Sequence, residues 1–211
     1  MIDPTKITNF NLNRQQLEEM AIFWVMVAGK KAKTTARLLE DLLTRLHDIY
    51  KCPFEPFQVI RTYDAEAPGW GLEYILKSCG FGCQKSKAKS LRQLASSGLD
   101  LKTCTVDELE SIHGIGMKTS RCFVMHTRKD ARHAGLDTHV LKWLRYLGYD
   151  APKATPSKKQ YLEFERIFVQ IADLLGIPPA VLDLDIWNAY SAGGVYTMDA
   201  GLLNLLPRKA A

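Results

Sequence analysis

The chain has 211 residues, of which 46% are hydrophobic and 24% are charged. These are ordinary globular values, and they argue against a disordered, collagen-like or membrane protein. The longest apolar run, from Met20 to Gly29, is too short to cross a bilayer, and the polar N-terminal residues do not form a signal peptide. We therefore expect one large domain or two small interlocking ones inside the cell, in the cytoplasm or nucleoid, or in a eukaryotic nucleus.

The cysteines do not have the spacing of a disulfide framework. There are five of them, Cys52, Cys79, Cys83, Cys104 and Cys122, and an odd number suits a reducing compartment. Only Cys79 and Cys83 resemble a metal-binding pair, and no second pair follows. We expect buried thiols and no metal site.

The net charge of +5 permits a polyanionic partner but does not identify one. The stretch from residue 77 to residue 99 carries five cations and no acidic residue: Lys77, Lys85, Lys87, Lys89 and Arg92. A solvated helix face is the ordinary explanation for such a run. A phosphate-binding surface is the alternative.

The pattern of apolar residues predicts helices throughout and no strand. Capping patterns open helices after Asn13, Thr105 and Ser157, and Asp137 begins another helix that Gly148 ends. Apolar spacing and glycine or proline breaks predict further helices near residues 36–46, 57–63, 71–79, 85–96 and 179–190. In the helix after Ser157, the side chains expected to point inward include Leu162, Phe164, Ile167, Phe168 and Ile171.

A glycine turn, Gly114-Ile115-Gly116, separates the short helix after Thr105 from an unbroken segment that begins at Met117. The first-turn amides of such a second helix point outward and can bind a DNA phosphate without reading sequence. Flanking apolar residues and the basic stretch upstream strengthen this prediction.

Lys118 follows in the first turn of the second helix, and Asp137 comes later at the start of another helix. A phosphate contact is the ordinary role for such a lysine, and an N-cap is the ordinary role for such an aspartate. The intervening helix carries the chain about 18 Å away. The eight residues after it can return roughly 26 Å, so the two side chains could meet.

Residues 112–118, Ile-His-Gly-Ile-Gly-Met-Lys, followed by Leu-Asp-Thr-His-Val at 136–140, resemble the signature of helix-hairpin-helix DNA glycosylases of the endonuclease III and 8-oxoguanine glycosylase type. Residues 75–88 and 185–193 are similar to other helices of that family, and the resemblance covers about residues 14–193. It departs from the family where His113 replaces the usual proline and where the usual glutamine near residues 28–31 is missing. No cysteine is present for the iron–sulfur cluster of the endonuclease III branch.

The resemblance implies an all-α, bilobal fold with a catalytic cleft between two domains. A six-helix, barrel-like domain would span residues 31–136, with the helix-hairpin-helix at about 105–128. The second helical domain would combine residues 1–30 with 137–211. The partner would be double-stranded DNA containing a damaged or modified base, which is flipped into the cleft of a monomer with no membrane contact.

Carried onto this chain, the resemblance makes Lys118 the amine nucleophile that attacks C1′ and forms a Schiff base, and Asp137 the carboxylate that stabilises the charge on the sugar. The implied DNA contacts are His113, Gly114, Ile115, Gly116, Thr119, Lys85, Lys87, Lys89 and Arg121. Trp70 and Phe81 are the candidates for the base pocket. No cofactor is implied except a monovalent cation at the hairpin.

We therefore expect a bifunctional DNA glycosylase and AP lyase of base excision repair that removes an oxidised or modified base. One alternative is a phage-type enzyme on the same scaffold that modifies a DNA base in place by transferring an amino acid. A second alternative is a helix-hairpin-helix module that binds DNA without catalysis. Release of the base distinguishes the first hypothesis from both alternatives.

Overall fold

The computed structural model describes residues 2–50 and 55–206, so Cys52 lies outside the described residues. Within these ranges the chain forms eleven α-helices and no strand, which confirms the all-α fold class. The helices are α1 Arg14–Val27, α2 Ala32–Tyr50, α3 Pro56–Glu66, α4 Gly71–Ser78, α5 Gln84–Ser96, α6 Val106–Glu110, α7 Met117–Thr127, α8 Thr138–Tyr146, α9 Lys158–Leu175, α10 Pro179–Ser191 and α11 Ala200–Leu203. A short 3-10 helix, Pro4–Lys6, and α11 are the two helices that the sequence did not predict.

Reciprocal side-chain caps start the helices where the sequence predicted them. The Asn13 side chain accepts the amide of Gln16, whose own side chain accepts the amide of Asn13, each at 2.9 Å. Thr105 with Glu108, and Ser157 with Gln160, form the same reciprocal box. Each box satisfies amides that have no partner within the helix, which fixes where α1, α6 and α9 begin.

The chain divides into two compact units. The first consists of Met1–Ile7 and Asn11–Phe123. In it, α5 packs against α3 and α4, while α1 contacts α2, α3 and α5. The fully buried side chains of its core include Leu42, Leu46, Ile60, Leu76 and Leu91.

The second unit consists of Thr8–Phe10 and Val124–Ala211, and in it α10 packs against α8 and α9. Trp143 and Phe168 meet edge to face in its core, with ring centroids 6.2 Å apart. The predicted inward position of Leu162 is wrong, because 47% of this residue is exposed. It lies at the rim of the apolar stripe of α9, where helical spacing alone does not distinguish core from surface.

The predicted domains, 31–136 and 1–30 with 137–211, stay a prediction, as does the cleft between them.

Among the described residues, no single helix is both long and apolar enough to cross a bilayer, although α9 and α10, bent by 96°, pass that test as a pair.

Candidate active site

The predicted glycine turn joins α6 to α7. After α6 the chain turns twice, because the amide of Ile112 donates to the carbonyl of Leu109 and the amide of Ile115 donates to that of Ile112, both at 3.1 Å. Gly114 has φ +80°, a conformation that favours glycine. Ile112 and Ile115 are buried and anchor the turn, while Gly114 and Gly116 are exposed.

One face of α5 supports this turn. The amide of His113 donates to Gln93 Oε1 at 2.7 Å, and the Ser86 hydroxyl lies 3.2 Å from His113 Nε2. A β-carbon on Gly114 would lie 2.5 Å from Ser90 Oγ. Residues 86, 90 and 93 lie on one helical face, and the sequence analysis missed their role. Their polar spacing within a basic helix is the signal that could have indicated it.

The first turn of α7 presents the features predicted for phosphate binding. The Ser120 amide donates to the carbonyl of Gly116 at 3.1 Å, so the amides of residues 117–119 precede the first helical hydrogen bond. An added β-carbon on Gly116 would find no atom within 4 Å. Lys118 lies in this same turn and is half-buried.

Glu110 connects the two helices of the hairpin. One oxygen, Oε1, accepts from the Ser120 hydroxyl at 2.8 Å and pairs with the Arg121 guanidinium. Arg121 is therefore buried against α6, and Thr119 is buried as well. The side chains of these two predicted DNA contacts are thus buried in the first unit, and their contact with DNA stays a prediction.

The basic residues of α5 also include both exposed and buried side chains. Lys85 and Lys89 are exposed, but Lys87 is buried and its ammonium donates to the carbonyl of Met26. Burial, followed by the nearby charge of Lys30, lowers the pKa of Lys87. Lys87 therefore does not share the exposed basic face on which it was predicted.

The two base-pocket candidates lie in different environments within the first unit. Phe81 is buried in the loop between α4 and α5, with Lys87 Nζ 5.5 Å from its ring centroid. Trp70 occupies the N-cap position of α4, where its side chain makes no capping hydrogen bond, and it is 61% exposed in an edge-to-face pair with Tyr74. Their roles in base binding stay predictions.

Asp137 caps α8 in the second unit. Its Oδ1 accepts the amides of His139 at 2.8 Å and Val140 at 2.9 Å, as the capping role predicted. Both of these bonds go to the same oxygen, and within residues 2–50 and 55–206 no hydrogen bond reaches Oδ2. The half-buried carboxylate is thus fixed in orientation by two amides of its own helix.

A basic and aromatic face follows Asp137 on α8. The ring of His139 lies 5.7 Å from that of Tyr190 on α10, and Lys142 Nζ lies 4.9 Å from the Tyr190 centroid. Burial, followed by the proximity of Tyr146, raises the pKa of Tyr190. The sequence analysis did not predict this cluster, because it depends on the packing of α8 against α10.

Lys118 belongs to the first unit and Asp137 to the second. Across the described ranges, no group of three or more His, Cys, Asp or Glu side chains could hold a metal ion.

Comparisons with known proteins identify the family. The family described as 8-oxoguanine DNA glycosylase matches residues 5–177. An 8-oxoguanine DNA glycosylase/AP lyase of Thermoplasma volcanium is 39% identical over 189 residues, which cover 86% of this chain and 85% of that protein. A protein of the same name from Thermoplasma acidophilum is 38% identical over 79 residues, 37% of each chain.

Solved structures share the fold. The Methanocaldococcus jannaschii 8-oxoguanine glycosylase/lyase, in complex with 15mer DNA containing 8-oxoguanine, superimposes with a TM-score of 0.64 at 21% identity, covering 92% of this chain and 89% of that chain. The 8-oxoguanine DNA glycosylase of Thermotoga maritima gives 0.63 at 22% identity, with the same coverage.

The resemblance to helix-hairpin-helix DNA glycosylases is thus confirmed, and with it the expectation of a base-excision glycosylase with AP-lyase activity. The base-modifying enzyme and the non-catalytic module are set aside. The chain belongs to the 8-oxoguanine DNA glycosylase family.

Proposed function

We propose that this protein excises 8-oxoguanine from double-stranded DNA and then cleaves the strand at the abasic site. Two relatives named 8-oxoguanine DNA glycosylase/AP lyase support this substrate. The observation that carries the chemistry is the Asp137 carboxylate, which two amides of α8 hold in a fixed orientation through Oδ1.

In the proposed reaction, the neutral amine of Lys118 attacks C1′ of the flipped nucleotide. The bond between C1′ and the base breaks, and the base leaves with the bonding electron pair and takes up a proton. The Lys118 nitrogen loses a proton, and the sugar ring opens as its oxygen takes up a proton, which leaves a Schiff base between Lys118 and C1′. β-Elimination then removes a proton from C2′ and breaks the bond from C3′ to its phosphate oxygen. The negative charge of Asp137 would stabilise the positive charge that develops on the sugar.

The glycine turn and α5 supply the proposed DNA-binding surface. Gly114 and Gly116 are exposed, and the first-turn amides of α7 can donate hydrogen bonds to a phosphate oxygen. Lys85 and Lys89 add charge on exposed positions of α5, beside His113, which contacts Ser86. This set excludes Lys87 and Arg121 because both are buried.

Schiff-base chemistry needs no metal or organic cofactor. We propose that the carbonyls of the hairpin hold at most a monovalent cation, and that the protein acts as a monomer inside the cell. Contacts to the phosphate backbone, which carry no sequence information, suit an enzyme that must search long stretches of undamaged DNA.

The test uses a duplex oligonucleotide with a single 8-oxoguanine, and the same duplex with guanine as the control. We expect release of the free base and strand cleavage without alkali, on the lesion duplex alone. Retention of the base with an added mass would instead support a base-modifying enzyme. Binding with neither release nor cleavage would support a non-catalytic module, and either outcome contradicts the proposal.

A further inference from the structure

A buried segment without regular secondary structure leads into Asp137. Ala134 and Leu136 are almost completely buried, at 0% and 4% exposure, and neither belongs to a helix. Buried main-chain N–H and C=O groups need hydrogen-bond partners, and here no helix or strand provides them. One turn bond, from the Asp137 amide to the carbonyl of Gly135, lies within the segment, and side chains from elsewhere in the second unit supply further partners.

Tyr161 of α9 satisfies it on both sides. Its hydroxyl donates to the carbonyl of Ala134 at 2.7 Å and accepts the amide of Leu136 at 3.1 Å. The tyrosine is itself 2% exposed, so water does not compete with these bonds. One hydroxyl thus fixes the main chain directly before Asp137.

Glu165 lies one helical turn further along α9 and fixes the same segment. Its Oε1 accepts the amide of Ala134 at 3.1 Å and lies 3.2 Å from His133 Nδ1. The two α9 side chains together bind three main-chain groups of residues 134–136. The spacing of four residues places both on one face of α9.

We infer that Tyr161 is a positioning residue for Asp137, with Glu165 assisting it; the inference rests on the proposed function. The amides of His139 and Val140 orient the carboxylate from the α8 side. Tyr161 fixes the chain on the other side, so the carboxylate has an anchor before it and an anchor after it. Displacement of a reacting group by about 1 Å can cost a hundredfold in rate.

The test replaces Tyr161 by Phe, which removes the hydroxyl and keeps the ring. Single-turnover excision of 8-oxoguanine should fall about ten- to a hundredfold, while the affinity for lesion-bearing duplex stays unchanged. Tyr149→Phe is the matched control, since Tyr149 is a buried tyrosine of the same unit, whereas the hydroxyl that bonds Ala134 and Leu136 belongs to Tyr161. It should keep the wild-type rate, whatever happens to its melting temperature.

A double-mutant cycle with Asp137→Asn separates positioning from general destabilisation. Once the carboxylate is gone, Tyr161→Phe should have no further effect on excision. A wild-type rate in Tyr161→Phe, or the same fold loss in both backgrounds, would overturn the inference while leaving the proposed function intact. Absence of 8-oxoguanine excision by the wild-type protein would overturn both.

Glu165 provides the second set of variants where Tyr161→Phe does not fold. Glu165→Ala removes the acceptor for the Ala134 amide, and it should lower the excision rate in the wild-type background but not in the Asp137→Asn background. Glu165→Gln keeps an acceptor oxygen and should recover most of that rate. Equal rates for Glu165→Ala and the wild type would overturn the inference.

Discussion

The α-carbon of Gly114 lies so close to Ser90 that a β-carbon on it would be 2.5 Å from the serine hydroxyl oxygen. The same glycine has φ +80°. Gly114→Ala therefore introduces both a clash and an unfavourable backbone conformation, and we expect a loss of about 1–3 kcal/mol in the free energy of unfolding. Urea unfolding measures it. A Gly114→Ala protein as stable as the wild type would contradict this account of the turn.

Gly116→Ala is expected to behave differently. Gly116 is not in the left-handed region, and an added β-carbon meets no atom within 4 Å, so folding should be unaffected. The methyl group would instead occupy the space in which we place a phosphate. Affinity for undamaged duplex should fall about tenfold, the scale of one charge-assisted hydrogen bond. An unchanged affinity would show that DNA does not approach this glycine.

Exposure of the basic residues of α5 predicts the salt dependence of DNA binding. Lys85→Ala and Lys89→Ala should each reduce the slope of log affinity against log salt by about one. Lys87→Ala should leave the slope unchanged, because that ammonium is buried against Met26. Binding isotherms over a range of salt concentrations test this, and an equal effect of all three substitutions would contradict it.

The lowered pKa of Lys87 predicts a pH-dependent stability. At pH values between the lowered pKa of Lys87 in the folded protein and its unfolded value near 10.5, the unfolded chain binds more protons than the folded protein. The free energy of unfolding of the wild type therefore rises with pH across this range. Lys87→Met removes that contribution. The free energy of unfolding of the wild type relative to Lys87→Met should therefore increase between pH 7 and pH 10. Parallel curves would contradict the prediction.

Asp137→Asn separates the two roles of this residue. Asparagine keeps an acceptor for the amides of His139 and Val140, so the free energy of unfolding should change by less than about 0.5 kcal/mol. Loss of the negative charge should slow excision at least about a hundredfold, the scale of one electrostatic stabiliser. Single-turnover assays measure the rate. Near-normal excision would leave Asp137 with its capping role alone.

Local patterns were enough to predict most of the fold. The boxes at Asn13, Thr105 and Ser157, and the cap at Asp137, depend on residues two or three positions apart, so the sequence contains both partners. Burial is different, because it depends on distant parts of the chain. Lys87 belongs to an ordinary basic run, yet its ammonium donates a hydrogen bond to the carbonyl of Met26 near the end of α1.

The same difference between local patterns and distant contacts applies to the candidate site. The motif predicted the glycine turn, Lys118 and Asp137, because their spacing is a property of the sequence. The supporting residues could not be predicted, since each meets its partner from a distant position: Ser90 lies beside Gly114, and Tyr161 bonds Leu136. Arg121 of α7 forms an ion pair with Glu110 of α6. This pairing buries a cation that the sequence predicted to be at the surface.

The role of Lys118 as the nucleophile is tested most directly by borohydride trapping on duplex DNA that contains 8-oxoguanine. Reduction of the Schiff base joins the protein covalently to C1′, so the wild type should give a trapped complex. Lys118→Gln and Lys118→Arg should give none and should not cleave the strand. Both should still bind the duplex, and arginine retains the charge but cannot form the imine. A trapped complex with Lys118→Arg would show that another amine performs the reaction and would contradict the account.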